Sequence, residues 1–203
     1  QALIKGNNEV VKASEFVRET VFGIETISQS AVLHQIMNVY RSNISDVALA
    51  DTLQKIQKRT TGFYKNYLPN LDKEVFKALM PYYLDQDNNI VPQALRVTYA
   101  ENGSNIDRWA NRVYSSSIIA NKEKFDALIS NANRADSNEI LVDQAYVIFE
   151  KVNTFNQNMI TPVLKEYNDK LQPVYRQFVG AQMKYNPARK PLYPDANSTL
   201  LIA

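Results

Sequence analysis

Apolar residues recur along the chain at steps of three and four, the spacing of one helical face, and the alternation expected of half-buried strands is nearly absent. Between Glu9 and Tyr40, the positions Val10, Ala13, Val17, Val21, Ile24, Ile27 and Ala31 keep that step, which predicts one helix or two broken near Gly23. Ser45 is the expected cap of a further helix running to about Arg59, with Val47, Leu49, Leu53 and Ile56 turned inward. Asn70, following Pro69, is the expected N-cap for a stripe of Leu71, Val75, Leu79 and Tyr82 that Pro81 ends or bends. After a polar turn over 85–89, Ser104 and Asp107 have the spacing of a capping box for a helix through Trp109 and Val113. A short helix is predicted near 122–129.

The last third carries the longest pattern. Asp136, with Glu139 reaching back, is the expected cap for Leu141, Ala145, Ile148, Val152, Phe155 and Met159. The same spacing restarts one residue late at Ile160 and continues through Leu164, Tyr167, Leu171, Val174, Phe178, Ala181 and Tyr185. This one-residue slip coincides with Thr161-Pro162, so the segment is either one long helix kinked there and near Pro173, or a helical hairpin. Beyond Tyr185, Asn186-Pro187-Ala188-Arg189-Lys190-Pro191 drops the period and should run extended over the surface. The fold class that follows is all-α: an irregular helical bundle with a long kinked C-terminal helix or hairpin and an extended tail. Residues 1–185 form the helical domain and 186–203 the tail.

Composition agrees, since five glycines in 203 residues are too few for the turns of a sheet protein, and 45% hydrophobic residues supply a sizeable core. A net charge of +2, with its cations scattered, excludes the basic footprint of a nucleic-acid binder. No stretch approaches the ~20 apolar residues of a membrane span, and Gln1-Ala2-Leu3-Ile4-Lys5 lacks the character of a signal peptide, so the expectation is a soluble chain with any export signal left out or removed. Zero cysteines exclude disulfides and thiolate metal sites but leave the compartment open.

Catalytic chemistry finds little to build on. The single histidine, His34, lies among Leu33, Ile36, Met37, Val39 and Tyr40, where a packed or surface role is expected, and no glycine-flanked serine presents a nucleophile. With one histidine and no cysteine, Glu15/Glu19 and Asp85/Asp87 lack the partners for a metal site and are expected to be solvated. Glycines isolated at 6, 23, 62, 103 and 180 cannot cradle a phosphate. No catalytic, metal or cofactor-binding residue is therefore assigned, and no cofactor is expected. The twelve tyrosines invite a ligand-binding reading, but Tyr82, Tyr83, Tyr167 and Tyr185 fall on helical stripes at core or boundary positions. Three Asn-x-Ser/Thr sequons, at Asn43, Asn102 and Asn197, are as many as chance supplies among 21 asparagines.

The C-terminal run Tyr193-Pro194-Asp195-Ala196-Asn197-Ser198-Thr199-Leu200 resembles the strand re-entry sequence of bacterial serine dipeptidyl peptidases, serine peptidase family 46, which includes dipeptidyl peptidases 7 and 11. Phe63-Tyr64-Lys65-Asn66-Tyr67 with Leu71-Asp72-Lys73-Glu74, then Asn105-Ile106-Asp107-Arg108-Trp109 through Lys124-Phe125, and Met183-Lys184-Tyr185-Asn186-Pro187 are similar to that family's helical domain in the same order. The resemblance runs from about Glu15 to Leu200. It implies a helical cap over a chymotrypsin-like β-barrel that holds the histidine, aspartate and serine and releases dipeptides from a free N-terminus. None of those three residues falls in this segment, so the chain alone is expected to be inactive. The implied partners are a peptide substrate and the missing barrel, and the implied location is the periplasm or outside the cell. Where the family continues after Thr-Leu into a strand, this chain has Leu201-Ile202-Ala203, so the expectation is a truncated chain or a disrupted reading frame. An apolar face left without its barrel is expected to be exposed, and it invites a homodimer. The competing expectation is a free-standing helical module that binds a protein partner.

Overall fold

Every regular element in residues 2–185, the part of the chain described by the computed structural model, is helical. The elements in order are α1 (Ala2–Thr20), α2 (Glu25–Gln29), α3 (Ala31–Arg41), α4 (Asp46–Thr60), α5 (Phe63–Asn66), α6 (Pro69–Leu84) and α7 (Gln93–Glu101). They continue with α8 (Ile106–Ser116), α9 (Lys122–Asn131), a 3-10 turn (Arg134–Asp136), α10 (Ser137–Val142), α11 (Gln144–Phe155), a π turn (Asn156–Ile160) and α12 (Thr161–Tyr185). The predicted tail, the sequon at Asn197 and the terminal motif lie outside the described residues.

Of the two readings of the first apolar run, the structure takes the one broken near Gly23, and the run breaks again at Ser30. A Cβ on Gly23 would stand 2.3 Å from the carbonyl oxygen of Glu19, a backbone atom that cannot yield, so the turn after α1 requires glycine. Val17, Val21, Ile24 and Ile27 are buried, and they join Phe76, Met80, Tyr83, Leu95, Trp109 and Val113 in one core. A second core gathers Leu33, Ile36, Met37, Leu49, Leu53 and Ile56 with Phe125, Leu128, Ile129 and Ile140. Helix α11 serves both: Ala145, Ile148 and Val152 face the first core and Tyr146 the second.

Several expected caps move by one or a few residues. Ser45 does cap α4, accepting from the amide of Ala48 at 3.3 Å, but Val47 is exposed rather than inward. α6 starts at Pro69 and not after Asn70, because proline at the first helical position needs no hydrogen-bond acceptor. Its buried stripe is Asp72, Phe76, Met80 and Tyr83, one residue out of phase with the stripe expected, so Leu71 and Tyr82 face solvent and Pro81 neither ends the helix nor sits in the core. α8 is capped by Asn105, which accepts from the amide of Arg108 at 2.8 Å, while Ser104 occupies the left-handed region at φ 51°. Helix α7, unforeseen from sequence, fills the gap before it.

Asp136 closes a 3-10 turn without a side-chain cap bond, and the helical run that follows is interrupted at Asp143. Buried Asp143 caps α11 by accepting from the amide of Tyr146 at 2.9 Å, and it also accepts from the amide of Ile118 at 2.5 Å. Leu141 and Met159, expected inward, are about half exposed at 47% and 55%.

From Gln144 to Tyr185 the chain is one uninterrupted helical run, not a hairpin. The one-residue phase slip is absorbed by the π turn at Asn156–Ile160, whose i→i+5 bonding admits an extra residue just ahead of Pro162, which has no amide hydrogen to donate. The restarted stripe is kept only over its first half. Ile160 and Leu171 are buried and Leu164 and Tyr167 half-buried, the last lying across α1 so closely that a Cβ on Gly6 would meet its hydroxyl at 2.3 Å. Beyond Pro173, which the helix passes through, the stripe of Val174, Phe178, Ala181 and Tyr185 is exposed.

Candidate functional site

Two buried aspartates look chemical at first sight and are architectural. Asp72 accepts from the amides of Glu25 (2.8 Å) and Thr26 (2.9 Å), from the hydroxyl of Thr26 (2.6 Å) and from that of Tyr114 (2.6 Å). The carboxylate thereby caps α2 from 46 or more residues away, which the neighbouring Ile24, with no polar side-chain atom, cannot do. Burial, and then the Asp72 charge, push the Tyr114 phenol far above its usual range. Burial likewise raises Asp143, against the pull of the amide donors around it. Arg134 is architectural in the same way, because its guanidinium donates to the carbonyls of Tyr40 (2.8 Å), Ser42 (3.1 Å) and Ile44 (2.6 Å) and so closes the end of α3.

A different arrangement lies where α3, α7, α10, α11 and the π turn meet. There a groove of about 740 Å³ opens between Arg41, Leu141, Tyr146, Glu150, Phe155 and Met159, with Pro92, Lys151 and Asn158 at its edges. Glu150 binds His34 Nδ1 at 2.6 Å through Oε1, and the same oxygen accepts from the Tyr146 hydroxyl at 3.3 Å. Burial, reinforced by the Glu150 charge and opposed by Arg41, pushes the Tyr146 phenol up to about 12. It therefore stays a donor at neutral pH. The Lys151 ammonium donates to the carbonyl of Ala94 at 3.2 Å and to the Thr98 hydroxyl. Such an arrangement can bind an anionic group beside an apolar one.

His34 is half-buried, its ring tilted against Phe149 with centroids 6.0 Å apart. Among the described residues no group of three or more His, Cys, Asp or Glu side chains stands close enough to hold a metal ion. Glu15, Glu19, Asp85 and Asp87 are exposed and stand apart from the groove. Of the tyrosines singled out from sequence, Tyr83 is buried and Tyr167 half-buried, whereas Tyr82 (68%) and Tyr185 (73%) are exposed rather than in the core or at its boundary. The sequon at Asn102 is closed, because that side chain is buried and donates to the carbonyl of Thr98 at 2.8 Å. Sequence reasoning missed Arg41, Tyr146, Glu150 and Lys151. The available signal was spacing: His34 and Arg41 are seven apart on α3, and Tyr146 and Glu150 four apart on α11, so each pair shares a helical face.

No helix among the described residues is long and apolar enough to cross a membrane. Residues 1–203 match the family described as Peptidase S46. The chain is also similar to an Asp/Glu-specific dipeptidyl-peptidase of Flavobacterium psychrophilum, with 26% identity over 194 residues that make up 95% of this chain and 26% of that protein. The chain thus spans about a quarter of the length of the curated relative it matches.

Proposed function

The chain belongs to the peptidase S46 family, and on that premise we propose that it is the helical cap domain of a serine dipeptidyl peptidase. In this reading the catalytic serine, histidine and aspartate reside in a barrel domain outside residues 1–203. The helical domain narrows the approach to that barrel, so that only the free amino end of a peptide enters and dipeptides are released. The location is periplasmic or extracellular. The observation that carries the reading is the family match over the whole chain, set against a dipeptidyl peptidase relative of which the chain spans about a quarter. The exposed apolar half of α12, with Val174, Phe178 and Met183, supports it as a surface suited to pack against a further domain.

The test is made on the full-length protein. It should release dipeptides from free peptides and not from N-acetylated ones, and a serine-directed phosphonate should stop it. Excision of the segment 1–185 should open the cleft and permit internal cleavage of acetylated peptides. Where excision prevents folding, a charge placed on the docking face, Phe178→Asp, should relax the same restriction partly. An intact enzyme that cuts acetylated peptides internally, or one indifferent to the phosphonate, would overturn the reading.

A further inference from the structure

The groove beside His34 and Glu150 has a charge balance that selects its occupant. Arg41 is exposed, and neither it nor Lys151 enters an ion pair among the described residues. Lys151 is held by a carbonyl and a hydroxyl, partners that fix its position without cancelling its charge. The one carboxylate lining the groove, Glu150, is turned to His34 and Tyr146 through Oε1. Two cations against one carboxylate leave the lining of the groove with a net positive charge, and an incoming carboxylate meets a guanidinium able to bind it in bidentate form.

The floor is of the other character. Leu141 and Met159 are large apolar side chains about half exposed, and Phe155 is half-buried between them and the core. An occupant carrying an apolar side chain would take this surface out of water. The volume lies within the ~300–1,000 Å³ typical of small-ligand sites. The π turn supplies the second independent sign: it carries Asn158 and Met159, which both line the groove, and single π turns inside α-helices are frequent at functional sites.

We infer that this groove seats the carboxy-terminal end of a peptide, its terminal carboxylate on Arg41 and its last side chain on Leu141, Phe155 and Met159. The choice of a terminal carboxylate over an acidic side chain rests on the peptidase reading above: an enzyme that engages the amino end of a short peptide leaves the carboxyl end directed away from the reacting bond, where a cap can hold it. Short peptides would then be anchored at both ends, and long ones at one.

The experiment is methyl NMR on the 203-residue chain, following the Met159 and Leu141 signals during titration with Ala-Ala-Ala-Leu as the free acid, the same peptide as its C-terminal amide, and an amidated peptide with an internal glutamate. The expected result is saturable shifts with the acid, at least fivefold weaker binding of both amides, and a loss of similar size in Arg41→Ala with Arg41→Lys between. Circular dichroism verifies that the Arg41 variants stay folded. Absence of shifts, equal binding of acid and amide, or binding of the internal glutamate peptide as tight as that of the acid would overturn the inference. Dipeptide release is scored separately on the full-length protein. An inactive enzyme with an acid-selective groove overturns the peptidase reading alone, and an active enzyme with a silent groove overturns the inference alone.

Discussion

At the scale of single residues, the least replaceable group in the first core is a carboxylate. Asp72 collects four donors, of which the amides of Glu25 and Thr26 have no other acceptor, so Asp72→Ala leaves those two amides unpaired at ~1–3 kcal/mol each. A loss of at least ~2 kcal/mol is expected, read as a lowered urea midpoint, with Asp72→Asn intermediate because one of its two terminal atoms can no longer accept. Asp143 behaves differently with pH. Burial raises its folded value above the unfolded one, so the folded state holds the proton more tightly, and stability falls as pH rises from the ordinary aspartate range to the raised value. In urea midpoints taken from the ordinary aspartate range upward in pH, the native chain should lose stability relative to Asp143→Asn. An equal decline in both would exclude Asp143 as its source. Neither role was legible in sequence, since Asp72 lay on a stripe read one residue out of phase and Asp143 followed a cap assigned to Asp136. Hydrophobic pattern counts a buried carboxylate as polar, and only the donors brought to it reverse that assignment.

At the scale of elements, the π turn decides where α12 points. Each helical residue rotates the face by about 100°, so the extra residue at Asn156–Ile160 is what lets Ile148 and Val152 face one core while Leu164, Tyr167 and Leu171 turn toward the interior beyond it. Deletion of Asn158 should convert the turn to regular α-helix and rotate α12 off α1. The expected cost is ~3 kcal/mol or more, because several half-buried and buried side chains lose their contacts together. Replacing the exposed Pro162 by alanine, with the phase slip retained, should change stability by less than ~1 kcal/mol. Comparable losses in thermal unfolding from both changes would show that proline, and not register, sets the turn. The slip from Met159 to Ile160 was visible in the apolar spacing. Its form as a π turn was not, because a kink, a break and an inserted residue give the same pattern.

At the scale of the molecule, the exposed stripe of Val174, Phe178 and Tyr185 continues the helical period of the buried Leu171 without a partner in the described residues. Phe178→Asp should leave the unfolding midpoint of this chain within ~0.5 kcal/mol of the native one, since it touches no core. The same change should lower the thermal stability of the full-length protein. A loss in the isolated chain instead would mean that the stripe packs within it. The all-α class and the inward Leu49, Leu53 and Ile56 follow from the sequence by itself, because helical periodicity is a local property repeated over many residues, whereas it left open whether the first run breaks at Gly23 and whether the C-terminal segment is one helix or a hairpin. Which of two adjacent stripes on α6 is buried, which carboxylate caps a helix distant in the chain, and whether Arg41 and Lys151 meet Glu150 in one groove were decided only by the tertiary structure. Each depends on a neighbour brought from elsewhere in the chain, and the energy of an apolar or charged side chain is set by that neighbour and not by its own identity.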